Sequence, residues 1–375
     1  MSALVVVAAA LANKAGNSGA AWTRMSWLLG LRRMGFDVHF AEELAPGPDV
    51  EARIAWFLEI TRAFGLGGCA TLLDADGRAL VGLDAAALAD LAAEALVLVN
   101  VSGHLRRREV ADRPGTRVYV DLDPGYTQLW HHDGLLDLGA HDHWYTVGLL
   151  VGTPACDIPT DGVPWRPVHQ PVVLQDWPAQ AATGRGTFTT VAAWRGPFGT
   201  LTHDGRVLGG KVHEFRRFAA LPERAPGAFQ VALDIDPADG ADRDLLQGHG
   251  WTIADPARVA GDPRAFRRYV QDSLAEVSVA QGVYVHARTG WFGDRTVRYL
   301  ASGRPALVQD TGFSARLPHS PGVVPFTTMA EAVSGATSIL EDYDRHATGA
   351  RGLAEEIFSS DVVLGRLCEE VGVAP

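Results

Sequence analysis

Lysine is almost missing from this chain. Of 33 basic residues only Lys14 and Lys211 are lysine, and a general arginine bias accounts for most of that. Both sit in or beside glycine-containing loops, where a compact point charge suits phosphate and is not freely exchangeable with arginine. Cysteine is nearly as rare. Cys69, Cys156 and Cys368 lie far apart with no C-x-x-C spacing, which argues against a disulfide framework or a zinc site and fits a cytoplasmic protein. The net charge of −11 argues against a general nucleic-acid or anionic-membrane binder. No apolar stretch approaches the ~18–20 residues of a membrane span. The opening "MSALVVVAAALANKAGNSG" lacks the basic start of a signal peptide and ends wrongly for one. There is no Walker A pattern and no His-rich metal spacing. The first loop, "NKAGNSG", has Gly16 and Gly19 but not G-x-G-x-x-G, so nicotinamide chemistry is set aside.

What is present is ample core material: 375 residues, 47% hydrophobic and 21% charged, enough for two domains of ordinary size. "ALVVVAAAL" at residues 3–11 is a continuous apolar run, suited to a parallel strand buried on both faces. A loop with Asn and Ser as caps follows, then the helical spacing of "WTRMSWLLGLRRMG" and the strand "FDVHFAEEL", together a βαβ unit. The alternation continues with helices at "IAWFLEITRAFGL" and "AAALADLAAEA" and strands at "LVLVNVSG", "TRVYVDLDPG" and "HDHWYTVGLL". Residues 152–187, dense in Pro, Gly and Trp, read as a linker and cleft edge. A second α/β series starts at "FTTVAAW". It passes through a long loop to the helix "VHEFRRFAAL", then "AFQVALDID", "ADRDLLQGHG" and "WTIADP". "PRAFRRYVQDSLAEVSVAQ" is expected as a helix and "GVYVHA" as the strand after it. The expected fold is α/β, two Rossmann-like doubly wound domains facing across a cleft. Residues 1–175 form the first and 186–375 the second, with the last helix free to return to the first domain.

From residue 286 onward the chain resembles the carboxyl-terminal half of GT-B glycosyltransferases. A Gly-rich loop precedes a helix that ends in a Gly-x-Pro element, here Gly303 and Pro305. The short strand Gly322-Val323-Val324-Pro325 and the helix start Glu331-Ala332 follow in the family's order. The resemblance covers about the last third of the chain by motif and the rest by architecture. It implies transfer of a sugar from a nucleotide-diphosphate donor to a small-molecule or glycan acceptor, with no metal generally required and no cofactor beyond the nucleotide sugar as co-substrate. In kind, Arg195 and Lys211 match the family's basic pair for the diphosphate. Arg298 stands near the place of the second of two glutamates usual in the retaining branch, and no glutamate stands at the first. Stereochemistry therefore stays open. So do a non-catalytic nucleotide or sugar binder and a sugar-nucleotide epimerase on the same fold.

The physics of the loop points the same way. A helix start offers free N–H groups and a positive dipole end to an anion. Gly290 and Gly293 let the backbone come close, Asp294 or Thr296 caps, and Arg288 or Arg295 adds charge. Thr289 and Trp291 complete this donor stretch. Gln309, Asp310, Thr311 and Gly312, one strand later, are placed on the sugar hydroxyls. In the first half, acceptor chemistry belongs at the carboxyl ends of strands, which nominates Asn17, Ser18, His104 and Tyr126. A base for the acceptor hydroxyl comes from Asp121, Asp123, His104, His141, Asp142 or His143, with Asp123, set before Pro-Gly, as first choice.

Overall fold

The computed structural model describes residues 2–180, 186–196 and 198–375. The first half is an eight-stranded sheet of β1 (Leu4–Ala8), β2 (Asp37–Glu43), β3 (Ala70–Leu73), β4 (Ala79–Val81), β5 (Val97–Val101), β6 (Thr116–Asp121), β7 (His143–Thr146) and β8 (Arg166–Pro167). Its order is β4-β3-β2-β1-β5-β6-β7-β8. Only the β3–β4 pair is antiparallel. The helices α1 (Ser18–Arg33), α2 (Val50–Ala63), α3 (Ala85–Ala93), α4 (Arg108–Ala111) and α5 (Tyr126–His132) make the connections.

The second half carries β9 (Phe188–Ala193), the small hairpin β10 (Thr202–His203) and β11 (Arg206–Val207), β12 (Phe229–Asp234), β13 (Thr252–Ala254), β14 (Ala275–Ser278), β15 (Ala306–Gln309) and β16 (Val323–Phe326). Six of these form a parallel sheet in the order β13-β12-β9-β14-β15-β16. Its helices are α6 (Lys211–Arg217), α7 (Leu221–Arg224), α8 (Gly240–Gly248), α9 (Pro256–Ala260), α10 (Pro263–Asp272), α11 (Gly282–His286), α12 (Asp294–Ala301), α13 (Met329–Glu341), α14 (Tyr343–Leu353) and α15 (Ser360–Val371).

Two elements differ in type from the sequence reading, and the strands β3, β4, β8, β10 and β11 were not expected from it. The run "SLAEVSVAQ" continues no helix: Ala275–Ser278 is the buried central strand β14, and "GVYVHA" is the short helix α11. Both segments are too short for periodicity to separate strand from helix. The expected strand "HDHWYTVGLL" is confined to β7, because Val147–Val151 leaves the sheet to meet the second half. Of the segment read as a linker, residues 181–185 lie outside the described residues. Much of the rest is packed. β8 extends the first sheet, and Trp177 is fully buried, 4.9 Å from Trp22 in ring centroids.

In each sheet the strand order reverses once. The reversal falls between β1 and β5 in the first sheet and between β9 and β14 in the second. At such points neighbouring connections diverge and leave a crevice at the carboxyl ends of the strands, the usual ligand position in open α/β sheets. The loops from these two carboxyl edges touch. Tyr119, Tyr126, Leu129, Leu150 and Val151 of the first half share one apolar cluster with Leu208, Val283, Tyr284 and Ala287 of the second. Leu150 N–H donates to Thr289 O at 3.0 Å, and Gly148 bridges Trp291. Helix α15 packs on α1, with Val363, Leu364 and Leu367 in the core of the first half. Among the described residues no helix is long and apolar enough to cross a membrane.

Gly290 is where these loops come closest. Its φ is +73°, and a Cβ there would stand 2.8 Å from Leu150 N. Left-handed strain and a backbone clash add, so Gly290→Ala is expected to cost about 2 kcal/mol or more. Thermal denaturation reads this as a lowered Tm; an unchanged Tm would mean that the Leu149–Leu150 contact is dispensable.

Candidate active site

Asp123 is set into the cleft by the turn that ends β6. Its own N–H donates to Asp121 Oδ1 at 2.9 Å, and Gly125 (φ +94°) opens α5. A Cβ on Gly125 would meet Val283 at 2.8 Å, so "DPG" is needed for the approach of the second half. Asp121 beneath is fully buried and accepts from Thr127, Gln128 and Thr146 at 2.6–2.9 Å. It is a structural carboxylate. Asp123 remains partly exposed. Tyr284, on α11, donates its O–H to Asp123 Oδ1 at 3.1 Å, and Trp291 stacks on Tyr284 at 4.6 Å. Burial, then the Asp121 charge, pushes the Asp123 carboxyl up to about 6, against Lys14 and Arg24. A carboxylate titrating so close to neutrality can take a proton from a hydroxyl and release it again.

The loop after β1 supplies the opposite sign. The turn Ala12–Lys14 is pinned by Glu42, which accepts from Ala12 N at 2.7 Å and from Asn13 N and Nδ2 at 2.8 Å. Burial raises the Glu42 carboxyl to about 7 in spite of these bonds. Lys14 extends from this turn, its Nζ 5.4 Å above the Phe198 ring of the second half.

The second sheet's switch point holds Lys211. Its Nζ donates to Val279 O at 2.8 Å, just past β14. Burial, then the neighbouring Arg295, lowers its pKa to about 7. Arg295 donates to Glu276 Oε1 at 2.6 Å, Val191 O at 2.7 Å and Ser278 Oγ at 3.0 Å. Helix α12 starts at Asp294 with Gly293 as its N-cap and no side-chain cap. Asp294 is engaged by Thr23 Oγ1 and by Arg298 Nη1 at 3.1 Å.

Several residues nominated from sequence are held elsewhere. Asp142 lies at the amino end of β7 and grips Arg117 with both oxygens, at 2.8–3.0 Å. That is the end of the strands away from the cleft, so Asp142 is not its base. His141, beside it, faces Asn100 and the edge of Tyr119. The Tyr126 hydroxyl stands 3.0 Å from both Gly199 O and Gln281 Oε1, either of which can accept its one proton; it bridges the halves, and its buried ring offers no face to an acceptor. Asn17 caps α1 on Ala20 N at 2.9 Å, and Ser18 is buried with an unpartnered Oγ.

On the donor side, Arg195 is bound by both oxygens of Asp239 and is largely exposed, while Lys211 donates to Val279 O. Gln309 is buried, its amide spent on Glu214 Oε2 (2.6 Å) and Ala280 N (3.0 Å). Thr311 Oγ1 donates to Trp291 O at 2.6 Å, and Asp310 accepts from Gly312 N at 2.8 Å. These bonds shape the loop and turn Gln309 and Thr311 toward protein partners. Gly290 approaches Leu149 and Leu150, where a phosphate had been expected. Thr289 is fully buried, Thr296 Oγ1 is buried without a partner, and Arg288 is exposed with φ +51°. Gly293, Asp294, Arg295, Trp291 and Lys211 remain around the cleft. Sequence reasoning passed over Tyr284, hidden in the misread strand, and Arg24, a lone cation in the apolar spacing of α1. Glu214 is buried against Gln309 and His286. Among the described residues no group of three or more His, Cys, Asp or Glu side chains gathers as a metal site.

No protein-family model matches this chain, and no curated protein does. Solved structures do. Anabaena HepE in complex with UDP-glucose aligns with a TM-score of 0.61 at 11% identity, over 98% of this chain and 99% of its own. An alpha-glucosyltransferase in complex with UDP gives 0.59 at 9% identity, over 99% and 100%. Sucrose-phosphate synthase from Thermosynechococcus elongatus gives 0.54 at 10% identity, over 99% of both chains. At these identities the likeness is one of fold.

Proposed function

The chain has the GT-B fold, two Rossmann-like sheets facing across a cleft, and from this we propose that it is a glycosyltransferase of the EC 2.4 type. It moves a sugar from a nucleoside-diphosphate donor to a hydroxyl of a small-molecule or glycan acceptor. Residues 1–175 hold the acceptor and 186–375 the donor. The observation that carries the reading is Asp123. It is a carboxylate at the carboxyl edge of β6, partly exposed, raised to about 6 and bonded across the cleft by Tyr284. In this reading Asp123 takes the proton of the acceptor hydroxyl while that oxygen attacks the anomeric carbon, and the nucleoside diphosphate leaves. Lys211 and the N-terminus of α12 stabilise the charge that develops on the leaving phosphate. Two of the aligned structures contain UDP or UDP-glucose, which makes UDP the first nucleotide to test.

Lys211 gives that test a pH signature. With its pKa near 7, only about half the molecules carry the charge at neutrality. A bound diphosphate favours the protonated form. UDP affinity, measured by titration calorimetry, is therefore expected to fall as pH rises above 7, by up to tenfold per unit until the raised pKa of the complex is reached. Lys211→Arg stays charged and is expected to flatten the profile. A flat profile in the wild type would remove Lys211 from the phosphate.

A further inference from the structure

One buried cation has no use in this mechanism. Arg24, on α1, is 9% exposed. Its one hydrogen bond runs from Nη1 to Ala20 O at 3.3 Å, and Nε is buried without a partner. Taking a guanidinium out of water without an anion is costly. The three carboxylates in electrostatic reach of it, Asp123, Asp294 and Glu42, are each engaged by other groups. Asp123 accepts from Tyr284, Asp294 from Arg298 and Thr23, and Glu42 from the backbone of Ala12 and Asn13.

Arg24 shares its surroundings with other cations. Burial first and then the Arg24 charge depress the pKa of Lys14, and Arg24, Lys14 and Arg106 all act on His104, which burial and these charges hold near 3 and therefore neutral. Lys14 follows β1 and His104 follows β5, the two strands flanking the first sheet's switch point, and Asp123 follows the adjacent β6. Three neighbouring carboxyl ends thus bring two cations and a neutral imidazole beside the proposed base, with the Phe198 ring closing the far side of Lys14.

We propose that Lys14 and Arg24, with Arg106 at the rim, form an anion subsite that holds a phosphate or carboxylate group of the acceptor and so points the acceptor's hydroxyl at Asp123. The inference rests on the transferase reading of the cleft, and it narrows the acceptor to anionic compounds. The subsite belongs to the first half, whereas the donor diphosphate is assigned to Lys211 and α12.

The test is a thermal-shift titration of the full chain with inorganic phosphate in the presence of saturating UDP, compared with UDP alone. In the wild type, phosphate is expected to add roughly 2 °C to the UDP-bound Tm. Lys14→Gln, a change on a partly exposed loop residue, is expected to abolish that increment and to keep the UDP shift. Arg24→Gln is expected to behave alike, and Lys14→Gln decides the matter if the buried change prevents folding. The proposal is overturned if Lys14→Gln retains the wild-type increment. It is overturned equally if phosphate adds nothing to the wild type. Loss of the UDP shift in Lys14→Gln would assign these cations to the donor diphosphate and also overturn it. Absence of any UDP shift in the wild type strikes the transferase reading, and the phosphate response still reports on the subsite.

Discussion

Asp123→Asn is expected to lower kcat for sugar transfer by about 10³-fold, with UDP affinity changed by less than about twofold. Asparagine keeps an oxygen to accept from Tyr284, so the geometry of the cleft survives and only the base is lost. The wild-type rate should carry the same signature. Burial and the Asp121 charge raise this carboxyl to about 6 in the free protein, and only its deprotonated form acts, so kcat/KM is expected to rise with pH through about 6 and level off above. Asp142→Asn gives the contrast. It releases an exposed Arg117 pair, and kcat should stay within about twofold. A full-rate Asp123→Asn enzyme would remove Asp123 from the chemistry.

The second large effect falls on stability. Glu276 is fully buried in the central strand β14. Its Oε1 accepts from Arg295 Nε at 2.6 Å, while Oε2 has no partner. Removing the guanidinium leaves a carboxylate in the core of the second half. Arg295→Met is expected to destabilise the protein by about 3–5 kcal/mol in chemical denaturation. Arg295→Met combined with Glu276→Gln is expected to recover part of that loss, because the unpaired carboxylate is then gone. If both variants lose the same amount, the pair contributes by packing and its charge is incidental. Arg295 also depresses Lys211, so a folded Arg295→Met protein should hold its UDP affinity to higher pH than the wild type.

The alternation of strands and helices was legible because buried parallel strands and amphipathic helices leave different periods. Motif order after residue 286 was legible for a related reason: Gly303, Pro305 and Pro325 occupy positions that other residues fill poorly. Legibility ended where a segment of four or five residues fits either element. "AEVS" and "GVYVH" were exchanged in type, and the exchange hid Tyr284. Asp123, the proposed base, was within reach of sequence because Asp-Pro-Gly at a strand end marks a turn at the ligand edge. Asp142 and Gln309 misled because residue type does not reveal partners. A carboxylate beside a strand reads alike whether it faces a cleft or grips Arg117. Gln309 was expected to meet a sugar and is consumed by Glu214, 95 residues away in the chain. Arg24 gave one weak signal, a cation within an apolar helical spacing, and its meaning depends on which residues surround it in space.

The central claim is that this cleft binds a nucleoside-diphosphate donor. The most direct measurement is a thermal-shift panel of UDP, GDP and dTDP on the intact chain. At a hundredfold excess over Kd, a nucleotide that binds only the folded protein adds about 2.7 kcal/mol of stability. At least one member of the panel is expected to raise Tm by several degrees, in dose-dependent fashion, with UDP the leading candidate. If none of the three nucleotides shifts Tm at millimolar concentration, the donor assignment is wrong.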